Sequence, residues 1–539
     1  MLAVAPGCKD FFDVNVNPLS PTSANLSTVL PATQVTMAEY LGDNISGMSQ
    51  FTLALMQQLY STRSIGNFQQ TSGSFSGPWG GLYRGTLVNN ELIITQGTKE
   101  QRWDYVGIAQ LQKAYVYSQM VDLWGDIPYS EALQGATNPS PRFDKDVDIY
   151  NGTGSIQGLF SLIDEGLNNL AKTPILPSTP LTLAKVDLIY AGDLGKWARF
   201  GRTLKLKLYN QLRKTNSDAA VQAQVTPLLN VALMGEGDDF QLRYYATVTP
   251  DNRNPGYVTD YKPNPENKIG RYFYEGMYKM NDPRVPYYFF NQVRTGSTTT
   301  NQDYISTSID PRFVTVRPGT LGPYANVAST AGVQTIQGLY PIGGAYDAGL
   351  GGSVNPDLGK AVAPQRLLTY YSRKYTEAEL QLTVFNNPTA ARAALIDALN
   401  ASFNKVNAIA TDDKSPTISS AAIMAYQNRV NSDITISGPL DRFDRATSAE
   451  EKLEVIMYEK YVASFGYGVD VYTDFRRTHH PRIRVSQGAA DPVRGLLPDD
   501  GGTSSNGPFP RRLFYPTNDL LLNPNSPGVQ ATTPIFWDR

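Results

Sequence analysis

Apolar residues recur every third or fourth position over several long stretches of the chain, and the clearest runs through QRWDYVGIAQLQKAYVYSQMVDLWGDIPYSEA, residues 101–132. Ala114, Tyr117, Val121 and Trp124 line one helical face there, while Tyr105, Ile108, Leu111 and Tyr115 cover another, so the spacing predicts a helix buried on more than one side. Gly125 is placed to end it, because glycine adopts positive φ without a Cβ clash, and Pro128 cannot continue it.

The same period predicts helix over 31–60, where Pro31 suits a first turn and Leu53, Met56 and Tyr60 continue a stripe. It restarts at Trp79, again through Leu159, Leu162, Ile163, Leu167 and Leu170, and again over 187–213, where Asp193 is a natural N-cap before Leu194, Trp197, Leu204 and Leu208. From 236 to 365 the pattern fails: Gly, Asn, Asp, Pro, Tyr and Thr dominate, with short strand-like pieces and one helix from Tyr272 to Met280. A stretch of that length without regular structure is expected to be functional or to build its own lobe. Helices return at 366–382 and 390–408, and a third opens at Ser448, which with Glu451 forms a capping box. The implied organisation is an N-terminal tether (1–30), a helical scaffold (31–235), a loop-rich binding lobe (236–365), more scaffold (366–480) and a loop-rich C-terminal segment packing on the body (481–539). The fold class is mainly α.

Composition narrows the function. At 539 residues, 41% apolar and 18% charged, the chain can bury a large core. A net charge of -2 offers no basic field for phosphates, so nucleic acid is not an expected partner. The 32 tyrosines are unusual; each joins an apolar ring to a polar tip, useful in packing and in holding sugars or peptides. No apolar run reaches the roughly eighteen residues of a membrane-spanning helix. Catalytic signatures are missing: no HExxH, CxxC, G-x-S-x-G elbow, Walker loop or dinucleotide fingerprint. His479 and His480 read as a surface pair, Glu236, Asp238, Asp239, Asp499 and Asp500 as solvated loop charges, and Arg476 and Arg477 as cations held by helix carboxylates. No metal site or cofactor is expected. The Asp- and Asn-rich loops leave a structural calcium open, though none has EF-hand spacing. Carboxylates paired for glycoside hydrolysis are defined in space, so sequence cannot test for them.

Cys8 is the sole cysteine; it follows Leu2-Ala3-Val4-Ala5-Pro6-Gly7, as at the small-residue end of a bacterial lipoprotein signal, and is the expected lipidation site. Residues 9–18, KDFFDVNVNP, resemble the leader that follows such a cysteine in the SusD/RagB family of outer-membrane nutrient-binding lipoproteins. DLWGDIPYSEA (122–132) resembles that family's central signature. Trp79-Gly80-Gly81-Leu82-Tyr83, DLIYAGDLGKW (187–197), the EKL…KY…DFRRTHHP run (451–481) and the PRRLFYP, NPN and Trp537-Asp538 tail are similar to further family motifs. Ala191 stands where the family usually has glycine. The resemblance implies a tetratricopeptide-like helical scaffold bearing a loop-rich binding lobe, although no fixed repeat is visible in the residues.

It also implies a lipid-anchored, surface-exposed protein that captures oligosaccharide and delivers it to a SusC-like TonB-dependent β-barrel, acting as its lid and breaking no bond. A peptide-binding member, a surface glycan hydrolase on the same scaffold, and a subunit that only caps the barrel are the alternatives. A neutral sugar needs flat rings for its C–H faces and amide or guanidinium donors for its hydroxyls. Loop 61–78 offers Phe68 and Phe75 beside Arg63, Asn67, Gln69 and Gln70, and the second lobe offers Tyr257, Tyr340 and Tyr346 near Asn252 and Asn254. These are the candidate ligand-binding residues.

Overall fold

The computed structural model describes residues 25–43, 45–61, 71–176, 183–294, 312–315, 333–482 and 509–539. Cys8, Arg63, Asn67, Phe68, Gln69, Gln70, Asp499 and Asp500 lie outside them. Helices dominate, in a tetratricopeptide-like arrangement. Trp103–Trp124 packs against Val88–Lys99 on one side and Leu159–Leu170 on the other, and Leu159–Leu170 in turn meets Leu194–Gln211. Tyr370–Thr383 pairs with Pro388–Asp413 and Ala449–Ala463. The long helix is enclosed on every side, as its two apolar faces require, with Tyr115, Tyr117 and Trp124 inaccessible to solvent. It stops at Gly125, whose φ is +82°; a Cβ there would lie 1.2 Å from Arg512 Nη2, so both the turn and the close approach demand glycine.

Asp193 caps its helix by accepting the Lys196 N–H, and Ser448 and Glu451 form the reciprocal capping box. The single helix expected over 31–60 is broken into pieces. Leu26–Met37 carries Pro31 inside it, a π-helical turn follows at Ala38–Gly42, Met48–Leu55 is helical, and Leu59–Ser61 is a strand paired with Asn267–Ile269. Gly47 marks the break: a Cβ there would sit 2.3 Å from the Glu39 carbonyl. Likewise Gln365–Leu368, expected as helix, pairs antiparallel with Phe240–Leu242, and the helix begins only at Tyr370 behind a Thr369 cap. Among the described residues the strands form four two-stranded pairs, the other two being Ile127–Pro128 with Phe143–Asp144 and Phe289–Phe290 with Ile336–Gln337.

One large apolar core runs from Leu26 to Tyr515 and takes in Phe240, Ile269, Phe273 and Phe289 from the loop-rich stretch. That stretch also holds a small cluster of its own around Tyr257, Tyr261, Phe290, Ile336 and Ile342. Buried ions tie helices together. Glu379, wholly enclosed, receives Arg213 Nε at 2.7 Å, Asn210 Nδ2 at 2.9 Å, Arg477 Nη2 at 2.9 Å and a closer Arg477 Nη1. Arg477 is thus held by carboxylates as anticipated, with Asp474 as the second. Arg476 is not: it donates to the Asp122 and Arg511 carbonyls and lies over the Tyr472 ring. Residues 509–539 close on the end of the long helix. Leu513 N–H donates to the Leu123 carbonyl (2.9 Å), Trp124 Nε1 to the Phe514 carbonyl (3.1 Å) and Trp537 Nε1 to Asp122 (3.0 Å).

The histidines and loop acids depart from their expected places. His480 is buried between Glu454, on Nδ1, and Glu450, 2.7 Å from Nε2. Asp238 accepts both Nε and Nη2 of Arg199, Asp239 accepts Lys405 Nζ at 2.6 Å, and Glu236 accepts Asn404. Asp238 and Asp239, which look solvated in a Gly-rich run, are fastening points, because their partners come from helices distant in sequence, whereas Glu236 stays exposed as expected. Among the described residues no group of three or more His, Cys, Asp or Glu is placed to hold a metal, and no helix is long and apolar enough to cross a membrane.

Candidate functional site

Several residues singled out for ligand binding turn out to be packing residues. Phe75 is 1% exposed, wedged 4.8 Å from Phe51 and 6.2 Å from Trp124 between ring centroids. Tyr257 stacks on Tyr261 at 4.7 Å and donates its hydroxyl to the Pro356 carbonyl. Tyr340 stacks on Tyr288 at 4.6 Å, carries the Arg366 guanidinium over its other reach at 4.1 Å, and donates to the Ala463 carbonyl. As placed, these three present no ring face to a ligand; a tyrosine in a loop-rich stretch fills a core where the loops build one. Tyr346 is half-buried against Tyr287, Asn254 is buried as a helix cap, and Asn252 is exposed.

The described surface offers a different concavity. The short helix Ser76–Gly81 and the π-helical turn Leu82–Leu87 that follows it, the segment 128–141, and residues 516–519 enclose a cavity of about 270 Å³. Its lining includes Trp79, Tyr83, Arg84, Leu133, Pro141 and Asp519. Trp79 is nearly buried, held edge-on by Trp124 at 5.2 Å and close to Tyr83 at 5.1 Å. Tyr83 is fixed by donating its hydroxyl to the Pro128 carbonyl at 2.6 Å. Burial pushes the Asp519 carboxyl up from its usual range, partly offset by a hydrogen bond from Trp79. Arg84 is exposed and donates Nε to the Gly80 carbonyl at 3.3 Å. The cleft therefore joins apolar walls to one cation and one hydrogen-bonding acid. Among the described residues its lining holds no paired carboxylates in a catalytic arrangement and no nucleophile beside a base. WGGLY reads as the opening of a core helix, which hid Arg84 just beyond it; Asp519 has no local signal, because it is brought in from 440 residues away by the tail.

Over residues 18–516 the sequence matches a family described as "Starch-binding associating with outer membrane". The chain belongs to the SusD-like family. Solved structures agree with it in fold. A SusD/RagB family protein from Bacteroides thetaiotaomicron is 19% identical with a TM-score of 0.67, the match covering 96% of this chain and 99% of that one. A SusD homologue from Bacteroides fragilis is 17% identical with a TM-score of 0.68 over 96% and 100% of the two chains. A structure called a chitin-binding protein is 18% identical with a TM-score of 0.68 over 96% and 100%. No curated protein matches the sequence. SusD-like proteins are nutrient-binding proteins associated with the outer membrane.

Proposed function

We propose that this SusD-like protein captures oligosaccharide at the cell surface and delivers it to a SusC-like TonB-dependent barrel, for which it acts as a lid. The family match across nearly the whole chain carries this reading. In this reading lipid on Cys8 supplies the anchor, the tether ends before the packed helix Leu26–Met37, and ligand contacts shared by lid and barrel favour the closed pair. Ligand is taken by the Trp79–Arg84–Asp519 cleft together with the exposed Asn252, the half-buried Tyr346, and Arg63, Asn67, Phe68 and Gln69. At about 270 Å³ the cleft sits just below the usual range for a ligand pocket, roughly 300–1,000 Å³, and suits one residue of a chain rather than a whole oligomer.

The test is to extract membranes of the native organism in mild detergent, purify the protein by a C-terminal tag and identify what accompanies it. A large β-barrel with bound oligosaccharide is the expected result. Bound peptide would move the ligand class to the peptide-binding alternative. Recovery of the unlipidated chain alone in the soluble fraction, or turnover of glycan by the purified protein, would defeat the reading.

A further inference from the structure

The node built on Glu379 carries more positive charge than it neutralises. Arg213 Nε lies 2.7 Å from Glu379, Lys460 Nζ lies 2.7 Å from Asp474, and Arg477 spans both acids. Lys214 follows Arg213 in the 3-10 turn Leu212–Lys214, and the two side chains face the same groups, Arg477, Glu379 and Glu450. Four cations thus meet two carboxylates. Glu450 does not close the gap: its side chain is 62% exposed, where water screens it, and its Oε1 sits 2.7 Å from His480 Nε2.

The surplus shows as bonds left unmade. Arg213 Nη2, on a side chain only 9% exposed, is buried without a hydrogen-bond acceptor among the described residues. A buried charged donor left in that state is costly, so such groups normally find a partner. Lys214 is half-buried and has no carboxylate partner among the described residues. Burial, with Arg213 and Arg477 beside it, pushes its ammonium below the usual value, and Glu450 and Glu379 do not restore it. Lys374 shows the contrast: burial lowers it too, but Glu377 and Asp397 touch it and the net shift is upward. His479, half-buried at the end of the helix Gly468–Thr478, stands beside Lys214 and opens this corner to solvent.

We infer that Arg213 Nη2 and Lys214 Nζ, with the His479 imidazole at the rim, bind a compact doubly charged inorganic oxyanion, sulfate or phosphate. A guanidinium edge meets oxygens in fixed geometry and an ammonium adds a point charge. Two negative charges match the excess of four cations over two acids, and an acceptor at Arg213 Nη2 supplies the missing bond. Occupancy then strengthens the junction of the helices Leu194–Gln211, Tyr370–Thr383 and Gly468–Thr478. The inference stands apart from the oligosaccharide-capture reading and uses none of its residues.

The experiment titrates sodium sulfate at constant ionic strength into the full-length parent, Lys214→Gln and Lys214→Arg by isothermal calorimetry. The parent should bind one sulfate saturably, Lys214→Gln about tenfold or more weakly, as loss of a charged contact requires, and Lys214→Arg within about threefold of the parent. Thermal melts add a second readout. Without sulfate Lys214→Gln should melt at or above the parent, because it removes unneutralised charge. With sulfate the parent's midpoint should rise and saturate, on top of the general salt stabilisation that both proteins share. A parent without saturable binding, undiminished binding by Lys214→Gln, or a Lys214→Gln that melts below the parent without sulfate overturns the site.

Discussion

Replacing Glu379 by Gln should be among the most damaging conservative changes available in this protein. The side chain sits at the meeting point of Leu194–Gln211, Tyr370–Thr383 and Gly468–Thr478, with Arg213, Arg477 and Asn210 all donating to it. Burial by itself would raise its pKa, but the Arg477 and Arg213 guanidinium groups outweigh burial and hold the carboxyl well below its usual range. In Glu379→Gln, Arg477 keeps Asp474 at 2.7 Å, whereas Arg213 keeps no carboxylate among the described residues. Stranding one buried cation costs about 3–5 kcal/mol, a large share of a total stability of roughly 5–15 kcal/mol. Urea unfolding of parent and variant at pH 7 measures it, and a second variant, Arg213→Met in the Gln background, should recover part of the loss by removing the stranded charge. The sign with pH follows from the depressed pKa. The contribution is fully present above the unfolded carboxyl value, near 4.5, and is lost as pH falls through the lower folded value, so parent and variant should converge in acid. A loss below about 1 kcal/mol at pH 7, or a gap that widens in acid, would refute the reasoning.

Asp43 should behave in the opposite sense. Burial, with Glu39 and Asp260 adding to it, pushes its carboxyl up to about 6 despite bonds from Ile45 N–H and Ser46. Stability is then lost as pH rises from about 3.8 through 6, so Asp43→Asn should gain on the order of 2–3 kcal/mol over the parent at pH 8 and nothing at pH 3, read by thermal melts across pH. For His480, burial lowers the pKa, but Glu454 and Glu450 outweigh it and the net shift is upward. The stabilisation is complete below about 6.5 and fades as pH rises through the elevated folded value, so the melting gap between parent and His480→Gln should shrink with rising pH. With only two histidines in the chain, imidazole NMR signals assign the titration directly, and a His480 that titrates below His479 would contradict it.

How much of this was legible in the residues depended on whether the deciding partner was local. The long helix, its glycine stop, the Asp193 cap and the Ser448 capping box were readable because the physics of each lies within a few positions. The strands Leu59–Ser61 and Gln365–Leu368 were not, since each is decided by a segment far away in sequence: Asn267–Ile269 for one and Phe240–Leu242 for the other. The candidate site suffered most from this. Tyr257 and Tyr340 have the right chemistry for a ligand, but their rings are claimed by Tyr261 and Tyr288.

The closure of residues 509–539 on the long helix has a consequence for how the protein comes into being. Trp124 is satisfied by a carbonyl 390 residues later, and Asp122, which already accepts from the Tyr150 hydroxyl, gains an indole 415 residues later. At a synthesis rate of about 5–20 residues per second, a growing chain carries the end of that helix without its cover for roughly 20–80 seconds. During that interval the Leu123–Trp124 end lacks the cover that residues 513–537 supply. The native state is thus completed by a segment made long after the helix it covers, and the timetable of synthesis bears on when the fold can lock.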